Sequence, residues 1–369
     1  MEHSPTTGTR HWEALFTPFH LGALSLSTRI VMAPMTRAFS PGGVPNAHVA
    51  GYYRRRAENG VGLIVTEGTT VNHPAASLGV NIPRFHGEDA LAGWAAVVAA
   101  VHEAGGAIVP QLWHIGIERA GTGGEVPHPD APAVSPSGLN LAGEQVGEPL
   151  ARGEIGAIVR AFGQAAADAK RIGFDGIELH GAHGYLIDQF LWAHTNRRTD
   201  EYGGSLVART RFAAEIIRAC RVAVGPDFPI IFRISQWKIG HYDAKLAATP
   251  ELLAELLAPL VDAGVDIFHC STRRFREPEF AGSELNFAGW IKRLTGKPVI
   301  TVGSVGLGSD GNAETADLPE LAARLAAGEF DLAAVGRALL VDPAWAAKIR
   351  DGRTDELLPL AQEAFATLS

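Results

Sequence analysis

Short β-branched and aliphatic runs alternate along this chain with long, Ala- and Leu-rich amphipathic stretches. The runs at 29–35, 62–67, 107–112, 176–180, 230–235, 265–271, 299–303 and 331–336 are nearly continuous in apolar residues. That pattern predicts strands covered on both faces. Between and after them, helical spacing predicts helices at 46–59, 89–105, 154–173, 206–224, 249–263, 286–294, 317–327 and 343–351. Start and stop signals agree with these spans. Thr249 followed by Pro250 is an N-cap with proline at the first helical position, and Gly105, Gly173 and Gly264 stand where helices should end. Eight strand–helix units in series predict an α/β fold, a single (β/α)8 TIM barrel, as one domain over residues 1–369. A doubly wound sheet would open with a G-x-G-x-x-G turn after its first strand, and none follows Met35.

The longest break in the pattern lies between 113 and about 150 and is rich in Gly and Pro. It leaves the C-terminal end of the third strand, so it is expected to be a lid or hairpin cap over the site. A second enlarged loop, Ser271-Thr-Arg-Arg-Phe-Arg-Glu-Pro-Glu-Phe280, follows the sixth strand.

Composition narrows the function classes. With 46% hydrophobic and 20% charged residues the chain is globular, not disordered. A net charge of −8 lacks the basic surplus of a nucleic-acid binder. Two cysteines, Cys220 and Cys270, make neither a disulfide framework nor a C-x-x-C metal or cluster motif. No stretch approaches the length of an apolar membrane helix, and the opening Met1-Glu2-His3-Ser4-Pro5-Thr6-Thr7 lacks the basic and apolar regions of a leader. These readings predict a cytoplasmic protein with a small-molecule substrate and without nucleic-acid or membrane partners. Homo-oligomerisation is left open.

In a barrel the chemistry lies where the strands run out. Those positions carry an unusual inventory: Ala33-Pro34-Met35-Thr36-Arg37, Glu67-Gly68, Gln111-Leu112-Trp113-His114, Glu178-Leu179-His180-Gly-Ala-His183-Gly-Tyr185, Arg233, Val302-Gly303-Ser304 and Gly336-Arg337. Glycines and an arginine after the last two strands match the common barrel phosphate site. Arg233 inside an apolar strand must either face a ligand or pair within the barrel, Glu178 being the available partner. His180 and His183 could belong to a metal site with Glu178, Asp188 or His114, or be core residues. The reading preferred here is a pair of N–H donors toward a substrate oxygen, with the Tyr185 phenol as proton source and no metal.

At this point the chain resembles the Old Yellow Enzyme family of FMN-dependent ene-reductases. The likeness spans about residues 14–350. It is carried by Ala33-Pro-Met-Thr-Arg37, Gln111-Leu-Trp-His114, His180-Gly-Ala-His-Gly-Tyr-Leu-Ile-Asp-Gln-Phe190, Asn196-Arg-Arg-Thr-Asp-Glu-Tyr-Gly-Gly-Ser205 and Gly336-Arg337-Ala-Leu-Leu340. The resemblance implies non-covalent FMN over the strand ends, with NADH or NADPH as reductant and an enone-type substrate. It implies that Gly303, Ser304, Gly336 and Arg337 hold the phosphate, that Val302 also contacts the cofactor, and that Pro34 and Met35 pack under the ring. Thr36 would lie near flavin O4 and N5, Gly68 and Gln111 at the pyrimidine edge, and Arg233 near N1 and O2. His180 and His183 would bind the substrate carbonyl, Tyr185 would protonate the α carbon, and Trp113 and Trp237 would shape the pocket. One branch of the family has Asn where His183 stands, another has Cys where Thr36 stands, and Ile117 replaces the usual Arg. The alternative on the same scaffold is a flavin-dependent amine dehydrogenase or demethylase.

Overall fold

The computed structural model describes residues 12–121, 125–308 and 314–369. The expectation about a leader at Met1–Thr7 therefore lies outside the described residues, as do 122–124 in the long insertion.

After a single 3-10 turn (Glu13–Phe16) comes an antiparallel hairpin, β1 (Phe19–Leu21) and β2 (Leu24–Leu26). The units then follow in order: β3 (Ile30–Met32), α1 (Ala47–Glu58), β4 (Leu63–Thr70), α2 (Glu88–Glu103), β5 (Ala107–Trp113), α3 (Arg152–Arg171) and β6 (Ile177–His183). After β6 come a short α4 (Leu186–Leu191), α5 (Leu206–Val224), β7 (Ile230–Lys238), α6 (Pro250–Ala263), β8 (Ile267–Ser271), α7 (Phe287–Thr295) and β9 (Val299–Val302). The series ends with α8 (Leu318–Ala326), β10 (Leu332–Val335), α9 (Arg337–Val341) and α10 (Trp345–Asp351).

Strands β3 to β10 are parallel and close into a barrel, β10 pairing with both β9 and β3. The expected (β/α)8 architecture is the one observed. Sequence signals act locally as expected: the Thr249 side chain accepts the Leu252 N–H at 3.3 Å, and Gly264 ends α6 at φ 111° in the left-handed region.

Two apolar layers hold the barrel. Inside, Val31, Leu63, Val65, Val109, Ile231, Ile267, Ile300 and Leu332 meet in one cluster. Phe19, Leu24 and Leu26 of the hairpin join it, so the hairpin covers this end of the barrel interior. Outside, the helices pack on the strands through Trp94, Phe162, Phe212, Leu256 and Ile291. The opposite rim, where every strand ends, carries the polar residues.

The insertion after β5 folds back on itself. Leu139 pairs with Gln145 in an antiparallel bridge, and Ser135 bridges Pro149. Arg198 ties it down through Pro136 O and Leu150 O at 2.8 and 2.7 Å. Leu141 lies over Gly184, where an added Cβ would meet Leu141 Cδ1 at 2.8 Å. The insertion thus caps the end of β6, as its length and place suggested.

Candidate active site

The barrel register sets the site. Gln111 on β5 pairs with Glu178 on β6, and His180, Arg233 and His269 form one row across β6, β7 and β8. Above this row lies a cavity of about 390 Å³. Its walls bring together Pro34, Met35, His183, Arg233 and Trp237 with Val302, Gly303, Ser304, Gly336 and Arg337. It adjoins a wider cleft of about 880 Å³ that shares Arg273, Gly303, Ser304 and Arg337.

At the β9 end the backbone is tightly folded. A Cβ on Gly303 would stand 2.5 Å from Thr272 Oγ1 and 2.9 Å from Thr272 O, so glycine is required by close approach. Ser304 follows at φ 52°, and its Oγ donates to Arg273 O at 3.0 Å. Arg337 begins α9 with its side chain exposed.

The β6 end carries the three aromatic donors. The rings of His180 and His183 meet edge to face at 5.2 Å, and Tyr185 meets His180 the same way at 4.9 Å. Trp113, buried, lies parallel to His180 at 6.2 Å and edge-on to Tyr185 at 4.9 Å. Trp237 stacks on His183 at 4.4 Å. His183 sits at φ 67°. Its backbone N–H donates to Ser235 Oγ at 3.0 Å, and Nε2 is 2.8 Å from Ser271 Oγ. Nδ1 is therefore the ring nitrogen with no hydrogen bond to the described protein. Nδ1 of His180 is buried without a partner.

Electrostatics fix the protonation states. Burial, reinforced by Arg233, drives both imidazoles well below the ordinary histidine range, so they are neutral. Burial, with Glu118 adding, pushes the Tyr185 phenol up to about 12, so it keeps its proton at every working pH.

Thr36 is exposed on the turn after β3. That turn is held by Glu67, whose Oε2 accepts the N–H groups of Arg37 and Ala38 at 2.8 and 2.9 Å. Gly68 pairs in register with Gln111, and its missing side chain makes room for the Trp113 indole, 2.6 Å from an added Cβ. Arg233 forms no ion pair with Glu178 among the described residues, and its Nε is buried without a partner. Instead Glu178 is engaged by Gln111 and His269.

One supporting pair escaped the sequence reading. Lys238, at the end of β7, forms an ion pair with Asp188 at 3.0 Å, both side chains 0% exposed. Asp188 also accepts the Gly184 N–H at 2.7 Å, and the Ile239 N–H donates to His183 O at 3.2 Å. The pair thereby clamps the turn that carries His183 and Tyr185. Lys238→Met would leave the buried Asp188 without a counter-charge, and a loss of about 3–5 kcal/mol is expected. Denaturant melts of the single variant and of Lys238→Met with Asp188→Asn check this: the double variant should recover most of the loss.

Comparison with known proteins identifies the family. The model of the NADH:flavin oxidoreductase / NADH oxidase family matches residues 14–356. An NADH oxidase of Thermoanaerobacter brockii is 37% identical over 357 residues, 94% of this chain and 52% of the relative. A 12-oxophytodienoate reductase 7 of Oryza sativa subsp. japonica is 42% identical over 257 residues, 66% of this chain and 64% of the relative. The chain thus spans about half the length of the first relative and under two thirds of the second. A solved morphinone reductase in complex with tetrahydroNAD superposes with a TM-score of 0.79 at 32% identity, covering 95% of this chain and 94% of that one. The chain belongs to the NADH:flavin oxidoreductase / NADH oxidase family, the Old Yellow Enzyme family.

Family membership implies FMN, and the cavity suits it. Around β9 and β10 it offers Arg337 and a backbone that tolerates only glycine at Gly303, and it is also lined by Arg233, whose Nε is unpartnered. Among the described residues no group of three or more His, Cys, Asp or Glu side chains is arranged to hold a metal ion, and no helix is long and apolar enough to cross a membrane.

Proposed function

We propose that this chain is an FMN-dependent ene-reductase, with NADH or NADPH as reductant and an α,β-unsaturated carbonyl compound or similar activated alkene as substrate. The observation that carries this reading is the cluster of two neutral histidines and one protonated tyrosine, in which His183 lines the cavity and His180 and Tyr185 pack beside it. The relatives named for reduction of 12-oxophytodienoate and morphinone support it.

FMN, when bound, supplies the carrier that takes hydride from the nicotinamide and passes it to the alkene. Arg337, with the backbone of Val302, Gly303, Ser304 and Gly336, would hold its phosphate side. Pro34 and Met35 would support the ring face, with Thr36, Gly68, Gln111 and Arg233 toward its polar edges. His180 and His183 donate to the substrate carbonyl oxygen and stabilise the negative charge that develops there. Tyr185 then gives its proton to the α carbon. Trp113 backs His180 and Tyr185, while Trp237 fixes the plane of His183. Neutral donors of this kind do nothing for a cationic amine, which disfavours the amine dehydrogenase alternative.

The purified protein should be yellow, release FMN on denaturation and turn over NADH or NADPH with an enone. Release of FAD, or bleaching by a methylamine but not by reduced nicotinamide, would overturn the reading. Arg337→Ala removes a charge-assisted phosphate contact worth about 1.5–3 kcal/mol. FMN affinity should fall roughly ten- to a hundredfold, measured by fluorescence on titrating the apoprotein.

A further inference from the structure

Beneath the cavity, inside the barrel, lies a polar cluster with no part in the proposed proton and hydride steps. Glu178 on β6 is 0% exposed. Its Oε1 accepts from Gln111 Nε2 at 2.8 Å, and its Oε2 is 2.6 Å from His269 Nδ1. Burial pushes the carboxyl up, but the hydrogen bonds it accepts from His269 and Gln111, with the Arg233 charge nearby, outweigh it and hold the group below its ordinary range. Burial also lowers His269, more than Glu178 raises it. The pair therefore stands as a carboxylate and a neutral imidazole that donates from Nδ1.

A lone buried carboxylate costs several kcal/mol, and one amide plus one neutral ring do not cancel its charge. The counter-charge is Arg233, next to His269 in the strand register and also buried. The two charges do not touch. In a poorly polarisable interior they still act on each other, because Coulomb energy falls only with the first power of distance. Arg233 faces the cavity and Glu178 faces Arg233's own strand neighbour, so the carboxylate subtracts from whatever charge Arg233 presents to a ligand. Glu178 also fixes the Gln111 amide: with Nε2 turned to the carboxylate, the amide oxygen is directed elsewhere.

We propose that Glu178, held by Gln111 and His269, is a positioning residue that sets the reduction potential of bound FMN by offsetting Arg233 and orienting Gln111. The proposal rests on the FMN reading above. Its content is a direction: Glu178 keeps the flavin more reducing than Arg233 alone would make it.

The test is the midpoint potential of the holoenzyme, measured by dye-coupled reductive titration, for wild type, Glu178→Gln and Glu178→Asp. Glu178→Gln keeps the shape and one acceptor but removes the charge. Its reduction equilibrium should shift toward reduced flavin by about tenfold, which is about 30 mV for a two-electron couple. Glu178→Asp keeps the charge and should stay within about threefold of wild type. Bound FMN with an unchanged potential in Glu178→Gln, or a fall, overturns the proposal and leaves the FMN reading intact. Failure of wild type to bind FMN overturns that reading instead. Should Glu178→Gln not fold, histidine NMR on the wild-type apoprotein decides, His269 being assigned by loss of its signals in His269→Asn. A ring protonated on Nδ1 that does not titrate between pH 6 and 8 supports the charged pair. A ring that titrates as an ordinary histidine overturns it.

Discussion

Tyr185→Phe should slow reduction of simple enones by about 10²–10⁴-fold while leaving flavin reduction by the nicotinamide nearly unchanged. The phenol makes no hydrogen bond to the described protein, so its removal breaks no structural contact. Its ring is held edge-on between Trp113 and His180, both at 4.9 Å, and Phe keeps those contacts. The effect is therefore confined to the proton. Since the phenol is pushed up to about 12, it is fully protonated below pH 9, and the wild-type oxidative step should show no inflection from this group between pH 6 and 9. Stopped-flow measurement of the two half-reactions separates the outcomes. Equal slowing of both would make Tyr185 a wall of the pocket and not its acid.

The second large effect is expected at the histidine pair. Removing one donor from an oxyanion site typically costs about 10²–10³ in kcat. His180→Ala and His183→Ala should each approach this. Phenols, whose oxygen imitates the developing enolate, should bind the oxidised wild type with a long-wavelength absorption band, and both variants should weaken that band in parallel with turnover. The double variant should cost less than the sum, because both rings act on one oxygen. Both imidazoles are neutral, driven down by burial and by Arg233, so phenol affinity should not track a histidine titration. A single variant that kept full phenol affinity and full turnover would reduce that histidine to packing.

Much of the fold was legible because parallel barrel strands are apolar on both faces and the helices carry clear caps. The boundaries moved where backbone chemistry intervened. The first strand ends at Met32, not at 35, since Pro34 has no N–H to continue the ladder. The second barrel strand, β4, runs on to Thr70, through buried Thr66, Glu67 and Thr69 that look like loop residues in sequence. The hairpin β1–β2 and the short helices α4 and α9 are too brief for periodicity to register. At the rim, polar residues interrupting apolar runs announced themselves. His269 did not: a single histidine in Ile267-Phe-His-Cys-Ser271 reads as core until its partner across the barrel is seen. Lys238 lies beyond the run predicted as a strand at 230–235, and only tertiary packing reveals that it is buried against Asp188.

The backbone at His183, at φ 67°, restricts what evolution or a mutagenesis library can place there. Bulky and β-branched side chains are penalised in that region, while Asn, Asp, His and Gly occupy it most readily. Asp would set a negative charge against a forming oxyanion, and Gly offers nothing to donate. Two residues satisfy both the dihedral and the chemistry, His and Asn. The exchange between them is thus a two-letter alphabet imposed by main-chain geometry, and a search for altered substrate range has more freedom at Trp237 or Ser271, which adjoin the same ring from ordinary strand conformations.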